Sequence, residues 1–235
     1  SLQFITQKNE RYGHLQAAEL ALKGGCKWIQ LRMKESSMEE IEQVALQLKP
    51  LCEQNNAIFI IDDHVELCKK IGASGVHLGK MDMHPSDARR ILGERYLIGG
   101  TCNTFADIMK IKEDVDYIGC GPFRFTTTKK NLSPVLGTEG YQNIICDCQS
   151  NGIHTPIVAV GGITVKDITP ILKAGVNGVA ISGAIVNAEN PEQETKNIMK
   201  ILEKAFKKQY QRNYAEIKNS RSGIFFPSIS RHWKI

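Results

Sequence analysis

No apolar run in this chain approaches the roughly 18 residues that a helix needs to cross a bilayer, so no helical span is expected. The opening residues Ser1-Leu2-Gln3-Phe4-Ile5-Thr6 have neither the basic nor the apolar region of a secretory leader, and none is expected. Cysteine occurs seven times, an odd number without framework spacing. That fits reduced thiols in a cytoplasmic protein better than a disulfide scaffold. Cys146-Asp147-Cys148 is a single Cys-x-Cys with no second pair at useful spacing, so it reads as part of a helix rather than a metal site. The Gly-x-Gly-x-x-Gly turn of an open dinucleotide-binding sheet is missing near the first strand. No Ser-His or Cys-His pair points to an activated nucleophile.

Evenly spread basic charge is missing too. From residue 201 onward there are eight Lys/Arg against two acids, so the net charge of +5 belongs to the C-terminal end. Nucleic acid is therefore not an expected partner of the chain, and neither is a membrane.

What is present is a repeating alternation. Short apolar, β-branched runs lie at Phe4-Ile5-Thr6, Trp28 to Arg32, Ile58 to Ile61, Gly75 to Gly79, Tyr96 to Gly100, Tyr117 to Gly121, Ile157 to Gly161 and Gly178 to Ser182. Several follow small-residue turns such as Lys23-Gly24-Gly25 and Ala174-Gly175-Val176-Asn177-Gly178, where a helix ends and a buried strand begins. The segments between have helical periodicity, for instance Ile41, Val44, Ala45, Leu48 and Leu51. Eight strands alternating with helices predict a single (β/α)8 barrel over residues 1–210, with 211–235 as a basic C-terminal extension. An open doubly wound sheet is the second choice.

In such a barrel chemistry belongs at the C-terminal ends of the strands, and polar residues gather there. Gln30, Arg32 and Lys34 fall at i, i+2 and i+4, one face of strand two, where a guanidinium must meet water or an anion. Asp62 and Asp63 end strand three; taken alone they read as a cap on the next helix. Asp82 follows strand four, and Asp63 with Asp82 suits one Mg²⁺, which takes one or two carboxylates plus phosphates and water. His77 reads as a satisfied core residue. Gly99-Gly100-Thr101 allows close approach of a flat ring. Gly161-Gly162 and Ser182-Gly183 sit after strands seven and eight, where barrels bind phosphate through backbone N–H groups. After strand six, Gly121-Pro122-Phe123 leads into Thr126-Thr127-Thr128-Lys129-Lys130, hydroxyls and ammonium groups suited to phosphate or pyrophosphate.

With these motifs in order on seven of eight strands, residues 2 to about 205 resemble the thiamin-phosphate synthase family. The resemblance implies joining of a hydroxymethylpyrimidine diphosphate to a thiazole phosphate, plain or carboxylated, with release of pyrophosphate. By position it places Gln30, Arg32, Lys34, Asp62, Thr101 and Lys129 on the pyrimidine diphosphate, with Arg32, Lys34 and Lys129 as the catalytic cations. Asp63 and Asp82 would hold Mg²⁺, one ion per site, and Thr126, Thr127, Thr128, Gly162, Ser182 and Gly183 the thiazole phosphate. The partners implied are small phosphorylated molecules; homo-oligomerisation is left open. Three positions depart from the family pattern: Asp62 for Asn, Lys80 for Gln and Asn103 for His, and Asp62 and Lys80 are expected to offset each other in charge. A thiazole tautomerase barrel is the nearest rival and would use the His that Asn103 replaces. A phosphate-binding barrel without turnover is the other.

At the C-terminal end, Asn190-Pro191-Glu192 is the start of a helix with Ile198, Ile201, Leu202, Ala205 and Phe206 on its inner face. Beyond Asn219 the basic and aromatic residues show no periodicity.

Overall fold

The computed structural model describes residues 1–125 and 134–219. Eight parallel strands close on themselves in chain order: β1 (Leu2–Ile5), β2 (Trp28–Leu31), β3 (Ile58–Asp62), β4 (Gly75–Leu78), β5 (Leu97–Cys102), β6 (Tyr117–Cys120), β7 (Ile157–Val160) and β8 (Gly178–Ile181), with β1 pairing β8. The helices between them are α1 (His14–Lys23), α2 (Met38–Gln54), α3 (Val65–Ile71), α4 (Pro85–Leu92), α5 (Phe105–Ile111) and α6 (Gly137–Ser150). A 3-10 turn over Val165–Asp167 leads into α7 (Ile168–Lys173), and α8 (Gly183–Val186) and α9 (Pro191–Asn219) close the described chain. The (β/α)8 barrel is the architecture the alternation predicts. Cys146 and Cys148 lie on α6, and all seven cysteines are free thiols.

Strand periodicity sorts every second residue to one side of the wall. Trp28, Ile60, Tyr117, Val158 and Ala180 meet inside the barrel, with Trp28 and Tyr117 edge-to-face at 4.7 Å. Ile29, Leu31, Phe59 and Ile61 point outward and join the larger core beneath the helices. Gly99 and Gly119 serve this interior: a Cβ on Gly99 would lie 2.2 Å from the Tyr117 ring and 2.5 Å from His77 Nδ1. The space beside Gly99 is therefore filled by the protein's own Tyr117 and His77 rings.

Helix ends follow local chemistry. Ser37 and Glu40 form a capping box on α2, and the Asn190 side chain accepts from Gln193 N at 3.0 Å at the start of α9. Gly24 lets α9 approach α1, since a Cβ there would meet Thr195 at 2.4 Å. α9 runs to Asn219, past residue 210 where the sequence pattern sets the edge of the barrel domain.

Candidate active site

The residues that end β2 and β3 meet at the C-terminal mouth. Register pairs Gln30 with Ile60, and the inward parity of Trp28 and Ile60 carries on to Gln30 and Asp62. Gln30 Nε2 donates to Asp62 Oδ1 at 2.6 Å; Arg32 Nε and Lys34 Nζ lie 3.6 and 3.5 Å from Asp62 Oδ2. Lys34 also pairs with Asp63. Burial pushes the Asp62 carboxyl upward, with Lys34, Arg32 and the Gln30 bond opposing and the charge of nearby Asp82 adding to the rise. The Gln30 amide is oriented by its bond to Asp62, which leaves Oε1 buried with no partner among the described residues. A buried acceptor so placed gains from a donor brought by a ligand.

Asp62 and Asp63 do not cap α3. The residue preceding that helix is His64, whose side chain makes no capping bond. Asp63 instead holds a left-handed backbone, φ 65°, which a non-glycine residue adopts at a cost of roughly 1–3 kcal/mol and which recurs at functional sites. Asp82 accepts from Gly79 N at 2.6 Å, which closes the turn that follows β4. Among the described residues no three carboxylate, imidazole or thiol groups gather into a ready metal cage. The donors that Asp63 and Asp82 offer are hard oxygens, the type Mg²⁺ prefers.

Thr101 joins the floor of the mouth through a buried chain: Gln3 Nε2 donates to Tyr117 OH (3.2 Å), which lies 3.1 Å from His77 Nδ1, while His77 Nε2 is 3.0 Å from Thr101 Oγ1. His77 is thus the satisfied interior residue expected. Gln3 and its bond to Tyr117 escape a reading that starts strand one at Phe4; the polar Gln3 two residues before Ile5 is the pattern that reveals the longer strand. Thr6 is a further addition, accepting from Arg32 N at 3.0 Å and lying 3.0 Å from His14 Nδ1.

Lys80 does not compensate Asp62. Its ammonium lies 3.0 Å from Asp107 and 3.2 Å from Asn103 Oδ1, on the β5 side of the mouth. Asn103 Nδ2 in turn donates to Gly121 O. The three departures thus form two separate clusters, because Asp62 finds its own cations, Arg32 and Lys34, just after β2.

On the far side, Gly161 and Gly162 turn with φ 99° and 68°, and Ser182 Oγ donates to Gln7 Oε1 at 3.0 Å beside the N-terminus of α8. Thr126, Thr127, Thr128, Lys129 and Lys130 lie outside the described residues.

A closed (β/α)8 barrel with cations, carboxylates and glycine turns at one mouth belongs to the phosphate-handling barrels. The family model for Thiamine monophosphate synthase matches residues 2–185, and the chain belongs to that family. A Thiamine-phosphate synthase of Bacteroides fragilis is 59% identical over 202 residues, covering 86% of this chain and 99% of its own. One of Bacteroides thetaiotaomicron is 58% identical over 200 residues, with 85% and 96% covered. Among solved structures, thiamine phosphate pyrophosphorylase of Pyrococcus furiosus superposes with TM-score 0.77 at 29% identity, over 87% of this chain and 96% of that one.

Proposed function

We propose that this chain is a thiamin-phosphate synthase. It condenses 4-amino-5-hydroxymethyl-2-methylpyrimidine diphosphate with hydroxyethylthiazole phosphate, plain or carboxylated, and releases pyrophosphate. The observation that carries this reading is the convergence of Gln30, Arg32 and Lys34 on Asp62 and Asp63, backed by full-length relatives above 55% identity.

The diphosphate binds over Arg32 and Lys34, joined by Lys129. Their positive charge stabilises the oxygens on which negative charge develops as the carbon–oxygen bond breaks. The bonding pair leaves with pyrophosphate, and the aminopyrimidine ring spreads the positive charge left on its methylene carbon. The thiazole nitrogen then supplies its lone pair to form the carbon–nitrogen bond. No residue need remove a proton, in keeping with a sequence that shows no Ser-His or Cys-His pair. Gln30 Oε1, without a partner among the described residues, would take a hydrogen bond from the pyrimidine amino group. Asp63 and Asp82 are the residues that would hold Mg²⁺. The ion, when bound, neutralises the departing diphosphate as a Lewis acid. Lys34, which pairs with Asp63, would lie beside that ion and add its charge to the departing diphosphate. Thr126, Thr127, Thr128, Gly162, Ser182 and Gly183 receive the thiazole phosphate. The tautomerase reading lacks its base, because Asn103 stands at that position and its amide is engaged with Gly121 and Lys80. A cytoplasmic setting suits seven free thiols.

The test is formation of thiamin phosphate from the two purified substrates. Product is expected with Mg²⁺, and chelation should lower turnover at least about 10²-fold, the equivalent of two to three kcal/mol of lost charge stabilisation. A protein that forms no product under either condition removes the reading.

A further inference from the structure

The exits of β6 and β7 are tied together by contacts that the chemistry above leaves unused. Phe123 N donates to Val160 O at 2.9 Å and Arg124 N to Gly161 O at 3.2 Å. The Arg124 side chain then folds back over the glycine turn. Nη1 donates to Gly162 O at 3.2 Å and to Asp167 Oδ2 at 2.9 Å, and Nη2 to Asp167 Oδ1 at 2.7 Å. Its guanidinium carbon lies 5.0 Å from the centre of the Phe123 ring. Asp167 closes the other side, accepting from Thr164 N at 2.8 Å and Thr164 Oγ1 at 2.7 Å. Burial alone would raise the Asp167 carboxyl, but the bonds from Thr164 and Arg124 outweigh it and hold it below its ordinary value.

Two features give this arrangement a purpose. A Cβ on Gly162 would sit 2.4 Å from Arg124 Cγ, so the arginine stem is the surface against which the turn is pressed. The bidentate pairing also neutralises the guanidinium, which leaves it a strut rather than a free anion ligand.

We propose that Arg124, held by Asp167, is a positioning residue for the thiazole phosphate: it keeps the Gly161-Gly162 turn in the shape that receives that phosphate. The proposal rests on the function above and adds a residue pair to it. Arg124 is two residues beyond Gly121-Pro122 and Asp167 lies on the turn before α7, so the clamp draws two neighbouring strand ends into one rim.

Steady-state kinetics with each substrate varied in turn test it, on Arg124→Met, Arg124→Lys and Asp167→Asn. Arg124→Met keeps the stem over Gly162 and removes the fork. Arg124→Met and Asp167→Asn should each raise KM for hydroxyethylthiazole phosphate about tenfold, the scale of a small misplacement in a binding site. KM for the pyrimidine diphosphate should stay within about twofold, a split that general loosening of the fold would not give. Arg124→Lys, which retains one donor, should fall between, and it serves if the Met variant does not fold. Unchanged values, an equal rise for both substrates, or tighter thiazole phosphate binding in Asp167→Asn would overturn the clamp; the last would make Arg124 a direct ligand. If the wild type forms no product, the function reading falls. Titration of hydroxyethylthiazole phosphate into wild type and Arg124→Met then tests the clamp separately, equal affinities overturning it.

Discussion

The two sides of the barrel mouth are built from different materials. On β2 to β4 the polar work falls to side chains: Gln30, Arg32, Lys34, Asp62 and Asp63 interlock, with Asp82 closing the loop beside them. On β7 and β8 it falls to backbone: a Gly161-Gly162 turn in left-handed conformation and the Ser182-Gly183 entry into α8. The charged side suits a diphosphate that must depart with its electrons, where electrostatic stabilisation grows through the reaction. The neutral side suits a phosphate that must merely be held, where backbone N–H groups bind without adding charge. Arg124, beside the glycine turn, is paired with Asp167.

The largest effect that would break this division is at Arg32. Arg32→Ala should lower kcat/KM at least about 10²-fold, the loss typical of removing one aimed donor, and steady-state assays would read it. Near-normal turnover would mean that the charged side is structural.

Gly162→Ala sharpens the comparison from the other side. Its φ of 68° and the 2.4 Å approach to Arg124 Cγ make any side chain costly. Strain of about 1–2 kcal/mol should appear in urea unfolding, with a weaker thiazole phosphate KM and little change for the pyrimidine diphosphate.

A smaller effect separates the Lys80 cluster from the site. Asp62→Asn and Lys80→Gln should act independently, their double mutant adding within about 0.5 kcal/mol in transition-state energy, because Lys80 pairs with Asp107. Strong coupling would restore the idea that these two charges offset each other.

The smallest is a matter of pH. Burial would raise the Asp107 carboxyl, yet bonds from Asn103, Lys80 and Thr104 hold it below its ordinary value, and Asp167 behaves likewise. A carboxyl depressed in the folded state adds stability that is full above the unfolded value of about 3.9 and is lost as pH falls through the folded one. Asp107→Asn should therefore lower the urea midpoint near neutrality and flatten its fall in acid. An unchanged acid limb would contradict the assignment.

What could be read from the sequence follows the same division. Period-two placement exposed Gln30, Arg32 and Lys34 as one face, since a charged residue within an apolar strand has few destinations. The alternation of apolar runs and helical segments was enough for the barrel, because it repeats eight times. Long-range partnerships were not legible. Nothing local says that Lys80 reaches Asp107, that Arg124 reaches across 43 positions to Asp167, or that the space at Gly99 is taken by Tyr117 and His77. The Asp62-Asp63 pair read locally as a helix cap; burial against two cations and the left-handed Asp63 backbone decided otherwise.

The most direct test is calorimetric titration of pyrophosphate with Mg²⁺ into wild type, Arg32→Ala and Gly162→Ala. The account predicts binding to wild type, little change in Gly162→Ala and a loss of at least about tenfold in Arg32→Ala, the scale of one charge-assisted contact. Equal binding by wild type and Arg32→Ala would contradict it.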